Sequence, residues 1–182
     1  MATPAPLKNQ PPREKPHVYL AGKIAQHGWR ERLTYRTIYP RNPLDPNEFE
    51  DTPNFVCTGP FFACFGHGLS HVPGTHGQGE KNKRARVFDV SLARIAKSDF
   101  VFASINETDC FGTLVEIGHA HAIGVPVFLN LGPDLTRRQV NDFWFVAQAC
   151  HLVNGNLEEA FWNAIQAWRS ARALSVMGGG NG

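Results

Sequence analysis

Residues 99 to 129 carry Asp99-Phe-Val-Phe-Ala-Ser104, a polar stretch from Asn106 to Gly112, a helical pattern from Thr113 to Ile123, and Gly124-Val-Pro-Val-Phe-Leu129. The first run is apolar enough for a strand covered on both faces, as central strands of parallel sheets are. The helical pattern closes at Gly124, where a residue without a Cβ ends a helix at least cost, and Val125 to Leu129 predicts another strand. Strand, helix, strand in this order is a βαβ unit, and such units build parallel sheets.

Working outward, His17-Val-Tyr-Leu-Ala21 predicts the first strand, ending at Gly22. Residues 24 to 37 predict a helix with Trp29 and Leu33 on one side. Pro40, Pro43 and Pro46 mark an irregular link, and Phe55-Val-Cys-Thr58 predicts a second strand that Phe61-Phe62 would extend beyond Pro60. The glycine- and histidine-rich segment from Cys64 to Gly79 has no periodicity and predicts a long loop. A helix over 81 to 97 follows, with Val87, Val90, Leu92 and Ile95 as its apolar set. Thr136 with Gln139, and Asn156 with Glu159, are helix-start signals, separated by a short strand near His151 to Val153. The expectation is an α/β domain over 17–175, a doubly wound (flavodoxin-like or Rossmann-like) mostly parallel sheet of about five strands with helices on both faces. Proline-rich residues 1–16 and glycine-rich residues 176–182 are expected to be disordered or flexible tails.

A length of 182 residues suits one domain. With 42% apolar and only 19% charged residues, the composition excludes a disordered chain or a coiled coil. A net charge of +2 and an isoelectric point near 8.4 fall short of the basic balance that a nucleic-acid polymer demands, so small ligands are the expected partners. No stretch approaches bilayer length and the start lacks an export signal, so no membrane association and a cytoplasmic location are expected. Cys57, Cys64, Cys110 and Cys150 are then expected as free thiols.

Ligands of open parallel sheets bind beyond the carboxyl ends of the strands. That rule selects the loops after Gly22, from Pro60 to Gly79, and from Asn106 to Thr113. In the third, Asp109-Cys-Phe-Gly-Thr-Leu-Val-Glu116 puts a carboxylate in an expected first helical turn, with Gly112 letting backbone approach a ligand. The same Thr113-Leu-Val-Glu116 spacing also spells a capping box, in which Glu116 would bond back to Thr113.

Asp109 through Gly118, followed by Ala120, Ala122 and Gly124-Val-Pro-Val127, together with Tyr19-Leu-Ala-Gly22 and with Ile95 and Ser98-Asp99, resembles the nucleoside 2-deoxyribosyltransferase family and its relatives that hydrolyse the N-glycosidic bond of nucleotides. The resemblance spans roughly residues 17 to 130. It implies that Glu116 is the nucleophile that attacks C1′ of the sugar, giving a covalent glycosyl-enzyme. It implies further that Asp109 protonates or orients the departing base. Two departures stand out: one residue more separates the aspartate from the glutamate, and Ser91 occupies a place that often holds an acid, with Asp89 close by as a substitute.

The first loop looks like the family's base and sugar site. Gly22 and Ile24 would line it, Trp29 is a candidate to stack on a base or to pack in the core, and Lys23 or Arg30 would hold a phosphate. Gly112 and Thr113 would close the far side, Phe61 and Phe62 would lie beneath a lid formed by the middle loop, and His67 or His71 would contact ligand. Cys64, His67 and His71, with Cys57 and His76 nearby, match no recognised zinc spacing, so neither a metal nor a cofactor is expected. Phe143, Trp144, Phe145, Phe161, Trp162 and Trp168 belong either to the core or to a subunit interface, and the resemblance implies a homodimer or higher homo-oligomer. Cleavage or transfer at the N-glycosidic bond of a nucleoside is the leading expectation. The alternatives are a hydrolase of a nucleoside monophosphate or NAD-like substrate, and a nucleotide-sensing module without turnover.

Overall fold

The computed structural model of the chain describes residues 13–24, 28–34, 42, 44–61 and 81–178. The strands are β1 (His17–Ala21), β2 (Glu50–Asp51), β3 (Val56–Gly59), β4 (Phe100–Ile105), β5 (Val127–Leu131) and β6 (His151–Leu152). The helices are α1 (Trp29–Thr34), α2 (Lys81–Ala96), α3 (Phe111–Ala122), α4 (Arg137–Asp142), α5 (Trp144–Ala147) and α6 (Leu157–Gly178). The strands form one sheet in the order β2-β3-β1-β4-β5-β6. Every pairing is parallel except that of β2 with β3. Leaving out β2, the parallel strands run second, first, third, fourth, fifth, which is the doubly wound flavodoxin-like order, with its switch point between β1 and β4.

The sheet has six strands rather than the expected five. The extra one, β2, is a two-residue charged edge, Glu50 opposite Cys57 and Asp51 opposite Val56, made by a tight turn in which Thr52 binds the Phe55 carbonyl through both its N–H (3.0 Å) and its hydroxyl (2.6 Å). A pair of acids has no apolar alternation to betray it. Among the described residues no strand continues past Gly59, so Phe61 does not extend β3, and Phe62 lies outside the described residues. The helix expected from residue 24 starts at Trp29. β5 starts at Val127, after Pro126, which lacks the N–H for the ladder and offers only its carbonyl, to Val101 N at 2.9 Å.

Strand alternation builds two cores. Val18, Leu20, Phe100, Phe102 and Phe128 face one side, where they meet Leu33 of α1 and Phe161, Ile165 and Trp168 of α6. Tyr19, Ala21, Val101, Ala103 and Leu129 face the other, against Ile95 of α2, Ile117 and Ala120 of α3, and Phe143. Helices thus cover both faces; β4 is buried along its whole length and β1 from Val18 to Ala21. The helix-start signals are realised as capping pairs at Thr136 with Gln139 and at Asn156 with Glu159.

Residues 13 to 16, expected within the amino-terminal tail, are tied to the sheet. Pro16 O accepts from Val56 N at 2.9 Å, Lys15 reaches Asp51 at 2.9 Å, and Arg13 reaches the buried Asp99 at 3.5 Å. The carboxyl-terminal aromatics divide: Phe143, Phe161 and Trp168 are buried, Trp162 packs on the core, and Trp144 and Phe145 are exposed. No helix among the described residues is long and apolar enough to cross a membrane.

Candidate active site

The switch point brings together the loops after β1 and β4. Beside them opens a cavity of about 540 Å³, bounded by Gly22 to Ile24 after β1, Pro60 and Phe61 after β3, one face of α2, and Asp109 to Thr113 with Glu116. Its size is that of a small-molecule site.

Glu116 lies in the second turn of α3, not the first, because the helix begins at Phe111 with Cys110 as its N-cap. Cys110 makes no side-chain cap bond. Thr113, Ile117 and Ala120, at helical spacing, form the buried stripe, and Glu116 stands on its border, half-buried, facing the cavity. Its carboxylate does not serve as a cap at Thr113. Oε1 accepts a hydrogen bond of 2.5 Å from the hydroxyl of Tyr19, a fully buried residue of β1. Burial lifts the Glu116 carboxyl to about 7, against the pull of the Tyr19 hydroxyl and the Arg30 charge in the opposite direction. Burial, and next the Glu116 charge, push the Tyr19 phenol well above its ordinary range, so it remains a donor.

Gly22 earns its place by geometry. Its φ of +150° disfavours a side chain, and a Cβ there would stand 2.7 Å from the Ser104 carbonyl and 2.9 Å from the Trp29 ring. Trp29 therefore packs behind the loop, edge-on to Phe102, as part of the core, and does not line the cavity; the base-stacking role is corrected. Arg30 is corrected too. Instead of facing a phosphate, it donates to the carbonyls of Leu20 (2.7 and 3.0 Å), Gly22 (2.8 Å) and Lys23 (2.8 Å), tying down the carboxyl end of β1.

Lys23 bridges the two loops, pairing with Glu107 at 2.8 Å and Asp109 at 3.1 Å, so its charge is engaged rather than waiting for a phosphate. Asp109 borders the cavity but is exposed, and its hydrogen bond from Lys23 holds its carboxyl below the usual range. That pairing favours its carboxylate form. Asp89 is exposed on α2 and does not line the cavity, whereas Ser91 does. Ile24, Phe61, Gly112 and Thr113 border the cavity. Phe62, His67, His71, Cys64 and His76 lie outside the described residues.

Three residues at the site had no role in the sequence reading. Tyr19 is one; its signal is a hydroxyl in an otherwise apolar strand. Ser91 and Arg94 are the others, and with Val87 and Val90 they recur at helical spacing on the α2 face that borders the cavity. Arg94 is only 3% exposed. No family model matches this chain, and neither a curated protein nor a solved structure matches it.

Proposed function

We propose that this protein cleaves or transfers at the N-glycosidic bond of a nucleoside or nucleotide, with Glu116 as nucleophile. The observation that carries the proposal is a carboxylate beside a cavity at the switch point, turned away from its own helix start and held by a tyrosine hydroxyl. Many carboxylates line clefts; few are withdrawn from water, aligned by a buried phenol and left facing open space.

In the proposed reaction the Glu116 oxygen bonds to C1′ while the C1′–N bond breaks, and its electron pair leaves with the base. The base takes a proton from water. A water then bonds to C1′ as the C1′–O bond to Glu116 breaks, losing its proton and regenerating the carboxylate; in transfer, a second base replaces that water. Tyr19 fixes the attacking oxygen and, by hydrogen bonding, favours its ionised form. Asp109, kept ionised by Lys23, orients the ligand from the rim.

The same reading includes a cytoplasmic enzyme that forms a homodimer or higher homo-oligomer. Phe111, Val115, Trp144 and Phe145 supply exposed apolar surface for such an interface.

The test is chromatography of base release from deoxynucleosides, ribonucleosides, their monophosphates and NAD, each with and without a second free base. Base release that falls roughly a thousandfold or more in Glu116→Ala is expected, and exchange of bases marks a transferase. Release of no base from any substrate, or an undiminished Glu116→Ala, would refute the proposal.

A further inference from the structure

The proposed reaction leaves negative charge on the departing base, and Asp109, ionised by its pairing with Lys23, has no proton to offer it. The side of the cavity bordered by α2 carries a cation that can meet that charge. There, Leu44, Phe61, Val87 and Val90 form apolar walls suited to the faces of a flat ring, and Arg94 is the cation among them. Its guanidinium lies over the Phe61 ring at 4.6 Å and donates through Nη2 to the Asp45 carbonyl at 2.8 Å. Nε is buried with no partner among the described residues. An unmet N–H on a buried charged group is costly, and Arg94 borders the cavity, so a ligand acceptor that reached this N–H would relieve that cost. The position is built for an arginine: Gly59 has no Cβ, and one placed there would come within 3.2 Å of Arg94 Cδ.

We propose that Arg94 recognises the base, selecting nucleobases that present a ring carbonyl, such as hypoxanthine, over those, such as adenine, that present an amino group there. The inference rests on the glycosidic reading for its catalytic part. When the C1′–N bond breaks, the electron pair that passes to the base delocalises onto such a carbonyl oxygen, where the guanidinium meets it. An amino group in the same place points a donor at a donor.

The experiment measures binding of free hypoxanthine and free adenine to the full chain by calorimetry, alongside base release from inosine and adenosine. Wild type is expected to bind hypoxanthine at least about 10-fold more tightly than adenine, the scale of a hydrogen bond to a charged group. Arg94→Met, with its helical signal retained, is expected to lose that preference, while Glu116→Ala keeps it and loses turnover. Preference in binding without base release from any nucleoside would sustain the role of Arg94 and defeat the glycosidic reading. Equal binding of the two bases by wild type, or tighter binding of adenine, would overturn the role of Arg94 even if Arg94→Met failed to fold.

Discussion

Replacing Glu116 by glutamine should make the protein more stable while stopping its chemistry. The folded carboxyl releases its proton near pH 7, against 4.5 for an unburied glutamate. Between those values the folded state keeps a proton that the unfolded chain has lost, so wild-type stability falls as pH rises through the window and levels off above the folded value. The difference corresponds to roughly 3 kcal/mol at full effect, reduced to about 1–3 kcal/mol because one edge of the carboxylate meets the open cavity. Glutamine has the same shape, still accepts from the Tyr19 hydroxyl and carries no charge to desolvate. Urea unfolding of both proteins, followed by far-ultraviolet circular dichroism from about pH 4 to about pH 9, should give nearly equal stabilities at the acid end. The variant's advantage should open between the two ionisations, worth roughly 2–4 °C of Tm per kcal/mol at this chain length. Parallel curves over the whole range, or a wild type more stable than Glu116→Gln in alkali, would show that the carboxylate is not held against its own burial.

Two further expectations concern the same corner of the fold. Base release should rise with pH through about 7 as Glu116 ionises, and Tyr19→Phe, which removes the hydrogen bond that favours the charged form, should move that midpoint upward, leaving more activity lost at neutral pH than in mild alkali. An unmoved midpoint in the pH–rate profile would sever the phenol from the carboxylate. Gly22→Ala should cost roughly 2–3 kcal/mol in denaturant unfolding, since it combines an unfavourable φ with contacts to the Ser104 carbonyl and the Trp29 ring; a change inside measurement error would contradict the tight fit of the loop.

Much of the fold is legible in the chain because it depends on local periodicity. Phe100 to Ile105 alternates between the two cores as a doubly covered strand must, and Thr113, Ile117 and Ala120 repeat at helical spacing with Glu116 on their border. The rule for parallel sheets then places that acid near the carboxyl ends of the strands before any coordinate is known. Local pattern was ambiguous where two explanations shared one spacing, as in the capping box of Thr113 and Glu116, and it was silent on β2, which exists through pairing alone.

What the amino-acid order determined unaided is which side of the longer strands and helices is apolar and which acid stands at the rim. Which partner each polar group meets was decided by the tertiary structure. Tyr19 reaches Glu116 across 97 positions of chain, Arg30 turns back onto the carbonyls of β1, and Arg94 settles between Phe61 and the Asp45 carbonyl. A charge or hydroxyl in a sequence has many possible partners at similar cost, and only the packed chain, by excluding water and fixing distances, selects one of them.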